Sequence, residues 1–236
     1  MKFDKIVSLG YNCEVSFLIE DYWGELDSYP FSWGYVKDRE AFIWCLDHMD
    51  EILQGEIWFE PWACMYLCRN SMISFHPKMS AEKLMNEDGS ENMENRKEAI
   101  AELRSRTAYL VNKLRKLFTG IENVLFLAKV KSEGKDADVV YIHNLHETIN
   151  RLKIAGGGNY KLVLVFEKAC ECKEFQKLED KNLAIRYVNR FADDGKTDTD
   201  SDWDGWLRIF QEFDVRDIEQ YFKRIQMRMK HGFKKR

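Results

Sequence analysis

A cysteine stands directly after a short apolar stretch and a turn, near the start of the chain. Residues 6–9 predict a buried strand, Gly10 predicts a turn, and the apolar residues after Cys13 follow helical spacing. A cysteine in the first turn of a helix lies near unpaired backbone N–H groups and the positive end of the helix dipole, and both favour the thiolate. Because the thiolate is the form that attacks carbon, this arrangement predicts a nucleophile.

A nucleophilic cysteine needs a base, and among the five histidines His76 has the most suitable position. It ends a predicted strand, and the following Pro77 restricts its backbone. The third catalytic residue stays open between Asp27 and Asn189. The alternative is structural: Cys13 is then a small buried residue at a helix start, and His76 merely ends a strand.

Substrate contacts are expected close to the cysteine. Backbone N–H groups around residues 11–14 would form an oxyanion hole. The loop at 21–38 is rich in aromatic residues, and it is long enough to cover a site or to plug one end of the core. The residues that we expect to contact substrate are Gly10, Tyr11, Asn12, Phe31, Trp33 and Lys129.

The cysteines do not show the spacing of a metal centre. Cys64 and Cys68 bracket a predicted strand, in which residues four apart are separated by about 13 Å. Cys170 and Cys172 lack the two-residue spacer of zinc ribbons. We therefore predict neither a metal nor another cofactor.

Buried strands that alternate with helices must position these groups. Residues 124–128, 162–166 and 183–188 are apolar almost throughout, as are strands that are buried on both faces. The helical segments between them imply parallel crossovers. In parallel sheets, ligands bind beyond the carboxyl ends of the strands. The groups that follow predicted strands are Cys13, Lys129, Lys131, Glu167, Lys168, Asn189 and Arg190.

The fold class that this alternation predicts is α/β. We expect a single domain over residues 1–236, with a mainly parallel sheet and helices on both of its faces. Residues 56–76 predict an antiparallel hairpin at the edge of that sheet, and residues 215–236 predict a C-terminal helix with a basic tail.

Composition limits the class of protein and its partners. The chain has 236 residues, 45% of them hydrophobic, and a net charge of -4, so no global basic field attracts nucleic acid. No apolar run approaches the roughly 18–20 residues of a membrane span, and the N-terminus lacks the apolar core of a signal peptide. We therefore expect a cytoplasmic protein that takes a small-molecule or peptide substrate. The sequence leaves its oligomeric state open.

Two segments near the start resemble the motifs of a protein family. Ser8-Leu9-Gly10-Tyr11-Asn12-Cys13 matches a Ser-Leu-Gly-x-x-Cys motif, and Pro30-Phe31-Ser32-Trp33 follows at the spacing of a Pro-Phe-Asp-Trp motif. Together they resemble a bacterial family of unestablished function that is described as papain-like cysteine peptidases. The resemblance implies that Cys13 is the nucleophile and His76 the base. Ser32 stands where that family has Asp, which removes one expected acid.

The papain-like description and the predicted sheet differ. In papain-like folds the cysteine lies on a helix of one lobe and the histidine on an antiparallel sheet, whereas the alternation here predicts a parallel sheet. A nucleophile directly after the first strand of a parallel sheet is similar to the arrangement in SGNH-type esterases, with Cys in place of Ser. Two hypotheses follow: a cysteine hydrolase or acyltransferase, and a non-catalytic module that binds a sugar, a nucleotide or a peptide.

Overall fold

The structure is a computed structural model that describes residues 3–23, 27–192 and 201–213. The segment 215–236, for which a helix and a basic tail are predicted, lies outside the described residues. The helices are α1 (Glu14–Trp23), α2 (Arg39–Asp47), α3 (Ala81–Leu84), α4 (Met93–Thr119), α5 (Lys135–Ile154), α6 (Lys173–Gln176) and α7 (Trp203–Phe213). The strands are β1 (Lys5–Ser8), β2 (Gly34–Val36), β3 (Ile57–Glu60), β4 (Met65–Cys68), β5 (Ile73–Phe75), β6 (Val124–Lys129), β7 (Tyr160–Glu167) and β8 (Leu183–Val188). None of the helices in these ranges is long and apolar enough to cross a membrane.

Four strands form a parallel sheet in the order β1-β6-β7-β8. Its strands are apolar on both faces because both faces are covered. On one face, Leu125 and Val163 pack in a cluster that includes apolar residues of α1 and α7. On the other, Phe126 and Leu164 pack in a cluster that includes residues of α4 and α5. The predicted α/β fold with helices on both faces is confirmed.

The hairpin predicted within residues 56–76 belongs to a second sheet. Strands β3, β4 and β5 pair antiparallel, and β2 completes the order β2-β5-β4-β3. Strand β5 pairs with β2, which arises from the aromatic loop, and not with a strand of the parallel sheet. The hairpin therefore lies in a separate sheet and not at the edge of the parallel one. Val36 and Ile73 on one face join the same hydrophobic cluster as Phe126, so both sheets share one core.

A buried lysine closes the C-terminal end of α4. The Lys153 side chain, which belongs to α5, is completely buried, and its Nζ donates hydrogen bonds to the carbonyls of Leu117 (2.6 Å) and Gly120 (2.8 Å). These carbonyls belong to the helix end, where backbone acceptors lack partners within the helix. Burial lowers the pKa of Lys153, and this effect outweighs the opposing influence of Glu122. The lysine thereby joins the two long helices.

Candidate active site at the start of α1

Cys13 is the residue that immediately precedes α1. Its carbonyl accepts the N–H of Phe17 at 3.0 Å, which is the first bond of the helix. The buried Asn12 side chain accepts the N–H of Glu14 at 3.1 Å and satisfies one of the free donors of the first turn. Cys13 itself is partly exposed. The predicted order of strand, turn and helix is confirmed, but Cys13 directly precedes the helix instead of lying in its first turn.

The turn before Cys13 is bonded to the second sheet. Gly10 has a φ of +87°, and a Cβ atom there would lie 3.2 Å from a methyl group of Val36, so the position favours glycine. The Tyr11 carbonyl accepts the N–H of Val36 at 2.8 Å. The rings of Tyr11 and Tyr35 have their centroids 5.3 Å apart, and their hydroxyl oxygens are 3.2 Å apart. The residues before Cys13 therefore contact β2.

The residues after Cys13 contact the chain that leads into β2. The Phe17 ring meets the Trp33 ring edge-on, with a centroid distance of 5.1 Å. The Ser16 hydroxyl donates to the carbonyl of Ser32 at 2.5 Å. Cys13 thus lies between two contacts with the short segment at 32–35.

His76 lies directly after β5, which is the neighbour of β2. Gly34 pairs with Phe75 in the antiparallel ladder, so the next residues outward, Trp33 and His76, leave the sheet at the same end. Side chains alternate between the faces of a strand. By this alternation Phe75 points into the core and Ser74 points to the opposite face, and His76 is the first residue beyond the strand.

The face opposite the core carries polar and aromatic groups. Tyr35 pairs with Ser74, so both side chains lie on this face. The Ser74 hydroxyl donates to Glu60 at 2.5 Å, and Lys37 also bonds to that carboxylate. Because Tyr35 contacts Tyr11, the face that carries these groups is the one that the start of α1 approaches.

The electrostatic surroundings of His76 favour its neutral form. His76 is an exposed residue, but desolvation by its neighbours lowers its pKa, and the nearby positive charge of Arg106 lowers it further. The Arg106 guanidinium also donates a hydrogen bond to the His76 carbonyl, which anchors the backbone after β5 to α4. A neutral imidazole is the form that accepts a proton from a nucleophile.

A buried ion pair lies next to Cys13, at the carboxyl edge of the parallel sheet. Glu14 is completely buried, and its Oε2 lies 2.6 Å from Nζ of Lys129, whose side chain is 2% exposed. The other oxygen of Glu14 accepts the N–H of Ala192 at 3.1 Å and the hydroxyl of Ser201 at 2.9 Å. The Lys129 ammonium also lies 4.6 Å from the ring centroid of Phe191. This pair joins the first helix to the last residue of β6, and Glu14 also binds the chain after β8.

Asp27 lies at the other end of the sheet. Its carboxylate is 2.6 Å from Nζ of Lys5, the first residue of β1, and 2.7 Å from Nζ of Lys113. Partial burial raises the pKa of Asp27, but the hydrogen bonds and charges of Lys113 and Lys5 outweigh it and lower the pKa overall. Cys13 follows the opposite, carboxyl end of β1. The predicted role of Asp27 as a third catalytic residue does not fit this position.

Asn189 directly follows β8, as predicted, and the structure places β8 three strands from β1 in the sheet. Its backbone N–H donates to Asp202 at 2.6 Å, and the residue is exposed. The contact between this loop and the start of α1 is made by Ala192, through Glu14, and not by Asn189.

The residues predicted to contact substrate divide into two groups. Phe31 is completely buried and packs edge-on against Phe42 at 4.9 Å, so it belongs to the core and offers no surface to a ligand. Lys129 is committed to its ion pair with Glu14. Tyr11 and Trp33 are partly exposed on either side of Cys13 and can contact a bound molecule.

Ser32 has a structural role at the position where the resembled family has Asp. Its buried hydroxyl accepts the N–H of Tyr29 at 3.0 Å and closes the turn at 29–32. Serine and aspartate side chains both accept backbone N–H groups in turns of this kind. The serine therefore retains the turn that positions Trp33.

Three side chains that the structure places around Cys13 and Tyr11 were not among the predicted site residues. They are Glu14, Tyr35 and Arg39. Glu14 carries a detectable signal, because an acidic residue directly after a candidate nucleophile sits in the first helical turn. Arg39 has none, because its partners Glu133 and Asp138 are remote in sequence. Comparisons with protein-family models, with curated proteins and with solved structures found no match for this chain.

Proposed function

We propose that the protein is a thiol-dependent hydrolase or acyltransferase, with Cys13 as the nucleophile and His76 as the base. One observation carries the proposal: contacts on both sides of Cys13 reach β2 and the residue directly before it, β2 pairs with β5, and His76 directly follows β5. Tyr11 contacts Tyr35, and Phe17 contacts Trp33. A cysteine at a helix start that packs against an antiparallel sheet is also the arrangement that the resemblance implies.

The chemistry would proceed in two steps. His76 accepts the thiol proton of Cys13 while the sulfur attacks an acyl carbon, and the imidazolium then gives that proton to the leaving group. The resulting thioester is released by water in a hydrolase, or by another nucleophile in an acyltransferase. Backbone N–H groups at the start of α1 favour the negative charge that develops on the acyl oxygen.

The test is the alkylation rate of each cysteine, measured by mass spectrometry of the full-length protein with a chloroacetamide reagent. Cys170, which is also partly exposed, provides the internal comparison. We expect Cys13 to react at least about tenfold faster than Cys170 at neutral pH, because a base and a helix start favour its thiolate. His76→Asn should slow Cys13 and leave Cys170 unchanged.

Equal rates at the two cysteines, or a Cys13 rate that does not respond to His76→Asn, would contradict the proposal. A control variant is His48→Asn, since His48 stacks on Trp44 at the end of α2. It should leave both rates unchanged.

Non-catalytic ligand binding is the second candidate. Asp27 is paired with Lys5 and Lys113, so Cys13 and His76 lack this predicted third catalytic residue. Its absence from the site favours binding without catalysis. In this case Cys13 would react no faster than Cys170, while a small molecule would still bind beside Tyr11.

A further inference from the structure

A groove runs along one side of α4, between this helix and the chain at 49–55. Its volume is about 450 Å³, which lies within the range of about 300–1,000 Å³ that is typical of small-molecule sites. Arg104, Ala108 and Asn112 line it from α4, and because they are four residues apart they share one face of the helix. The middle residue of the three is alanine, and its small side chain leaves the space open.

The floor of the groove is apolar. Ile52 is completely buried, Val111 is 3% exposed and Leu53 is 7% exposed, and all three line the groove. The apolar part of a bound molecule would lose its contact with water on this floor, which favours binding.

Two neutral polar side chains of α4 also line the groove. Thr107 is only 6% exposed, and in the described part of the chain its hydroxyl has no hydrogen-bond partner. The exposed amide of Asn112 likewise makes no hydrogen bond to a described residue. Because buried polar groups normally have partners, the Thr107 hydroxyl indicates a place where a ligand atom bonds.

Arg104 supplies the charge of the groove. Its Nε donates to the carbonyl of Leu53 at 3.3 Å, and its Nη1 and Nη2 have no partner among the described residues. Asp50, the other charged residue of the lining, binds Arg115 through both carboxylate oxygens, at 2.7 and 2.6 Å. Arg104 therefore offers one uncompensated positive charge and two free donors.

We infer that this groove binds a small-molecule carboxylate, with the apolar body of the ligand between α4 and the chain at 49–55. The two terminal nitrogens of a guanidinium lie in one plane and match the two oxygens of a carboxylate. One uncompensated charge balances a monoanion, whereas a phosphate dianion would need a second cation. Eight residues of helix separate Arg104 from Asn112, so the ligand has about 12 Å in which to extend. The residues of the groove are separate from Cys13 and its neighbours, and the inference does not depend on the proposed function.

The test is a titration of the isotope-labelled full-length protein with phenylbutyrate, followed through the shifts of its backbone amide signals in NMR spectra. Phenylbutanamide is a neutral probe of the same shape. We expect saturable binding of phenylbutyrate, and binding of phenylbutanamide that is about tenfold weaker because the amide lacks the charge that pairs with Arg104. Arg104→Gln should remove this preference, by weakening the binding of phenylbutyrate about tenfold and leaving that of phenylbutanamide nearly unchanged.

Ala108→Leu fills the middle of the groove and should abolish the binding of both probes. Leucine is a good helix former, so α4 should be retained. Ala101→Leu is the matched control, because it makes the same change at an exposed position of α4 outside the groove. Arg208→Gln is the matched control for the charge, since Arg208 is an exposed arginine on α7, on the other face of the parallel sheet. Both controls should bind the probes as the wild type does.

Lack of saturable binding of phenylbutyrate would overturn the inference. An undiminished preference for phenylbutyrate in Arg104→Gln, or retained binding in a folded Ala108→Leu, would overturn it as well. The same spectra show whether each variant is folded, and the exposed Arg104→Gln decides the question if Ala108→Leu is not. Alkylation of Cys13 in the same samples tests the proposed function separately: an unreactive Cys13 leaves the groove standing, and a failure of probe binding leaves the thiol function standing.

Discussion

The buried pair of Glu14 and Lys129 yields the sharpest prediction about stability. Both side chains are almost fully shielded from water, and the Nζ–Oε2 distance is 2.6 Å. Glu14→Gln keeps the shape of the side chain and its acceptor for Ala192 and Ser201, but it removes the negative charge. Among the described residues, Lys129 would then retain its contacts with the rings of Phe191 and Tyr11.

The expected cost follows from the loss of one member of a buried pair, which leaves an uncompensated charge. Such losses destabilise proteins by about 3–5 kcal/mol. For a chain of this size, that corresponds to a fall in Tm of about 6–20 °C. The double variant Glu14→Gln/Lys129→Met removes both charges and leaves only an amide N–H without a partner, so we expect it to be more stable than Glu14→Gln alone.

Urea unfolding of the wild type, both single variants and the double variant forms a thermodynamic cycle. The coupling free energy should be about 2–4 kcal/mol, with an unchanged m-value. The matched control is the exposed pair of Lys135 and Glu174, whose atoms are 2.9 Å apart and whose removal should have little effect. A Glu14→Gln variant as stable as the wild type, or a coupling no larger than that of the control pair, would refute the reasoning.

Three further predictions concern the turn, the helix end and pH. Gly10→Ala should destabilise by about 1–3 kcal/mol in urea unfolding, and by more than Gly89→Ala, which shares a positive φ but has open space around it. Lys153→Met should cost about 1–3 kcal/mol in the same assay, because two buried carbonyls lose their donor. Burial lowers the pKa of His146, so the unfolded state binds protons first as pH falls below about 6.5. Stability should therefore drop between pH 7 and pH 5, and less steeply in His146→Asn.

The parallel sheet was predictable because its signal is local. Continuous apolar runs correspond to β6, β7 and β8, and the helices between them show their own periodicity. The second sheet was only half predictable. The hairpin of β4 and β5 has its own turn, whereas β2 is three residues long, lies in an aromatic loop and becomes a strand only by pairing with β5. Nothing in residues 34–36 alone distinguishes a strand from a loop.

At the site, the local features were also the predictable ones. Cys13 could be placed at a helix start from its neighbours, but the lysine that binds Glu14 is 115 residues away. Asp27 is a catalytic candidate in the sequence because it lies close to Ser32, where the resembled family has Asp, and it follows Cys13 by only 14 residues. Helix α1 runs back along β1 for ten residues, about 15 Å, and it carries the chain to the amino end of the sheet before residue 27. Closeness in sequence therefore meant distance in space.

A papain-like arrangement needs an antiparallel sheet beside the cysteine, and an esterase-like one needs a parallel sheet before it. The two exclude each other only in a chain with a single sheet, and this chain has both. Cys13 follows the first strand of a parallel sheet, and its flanking residues also contact an antiparallel one. A base supplied by the parallel sheet would have to follow one of its later strands. In the described part of the chain, the loops directly after β6, β7 and β8 contain lysines, acids and Arg190 but no histidine. The antiparallel sheet leads directly to His76, so the response of Cys13 alkylation to His76→Asn decides which sheet supplies the base.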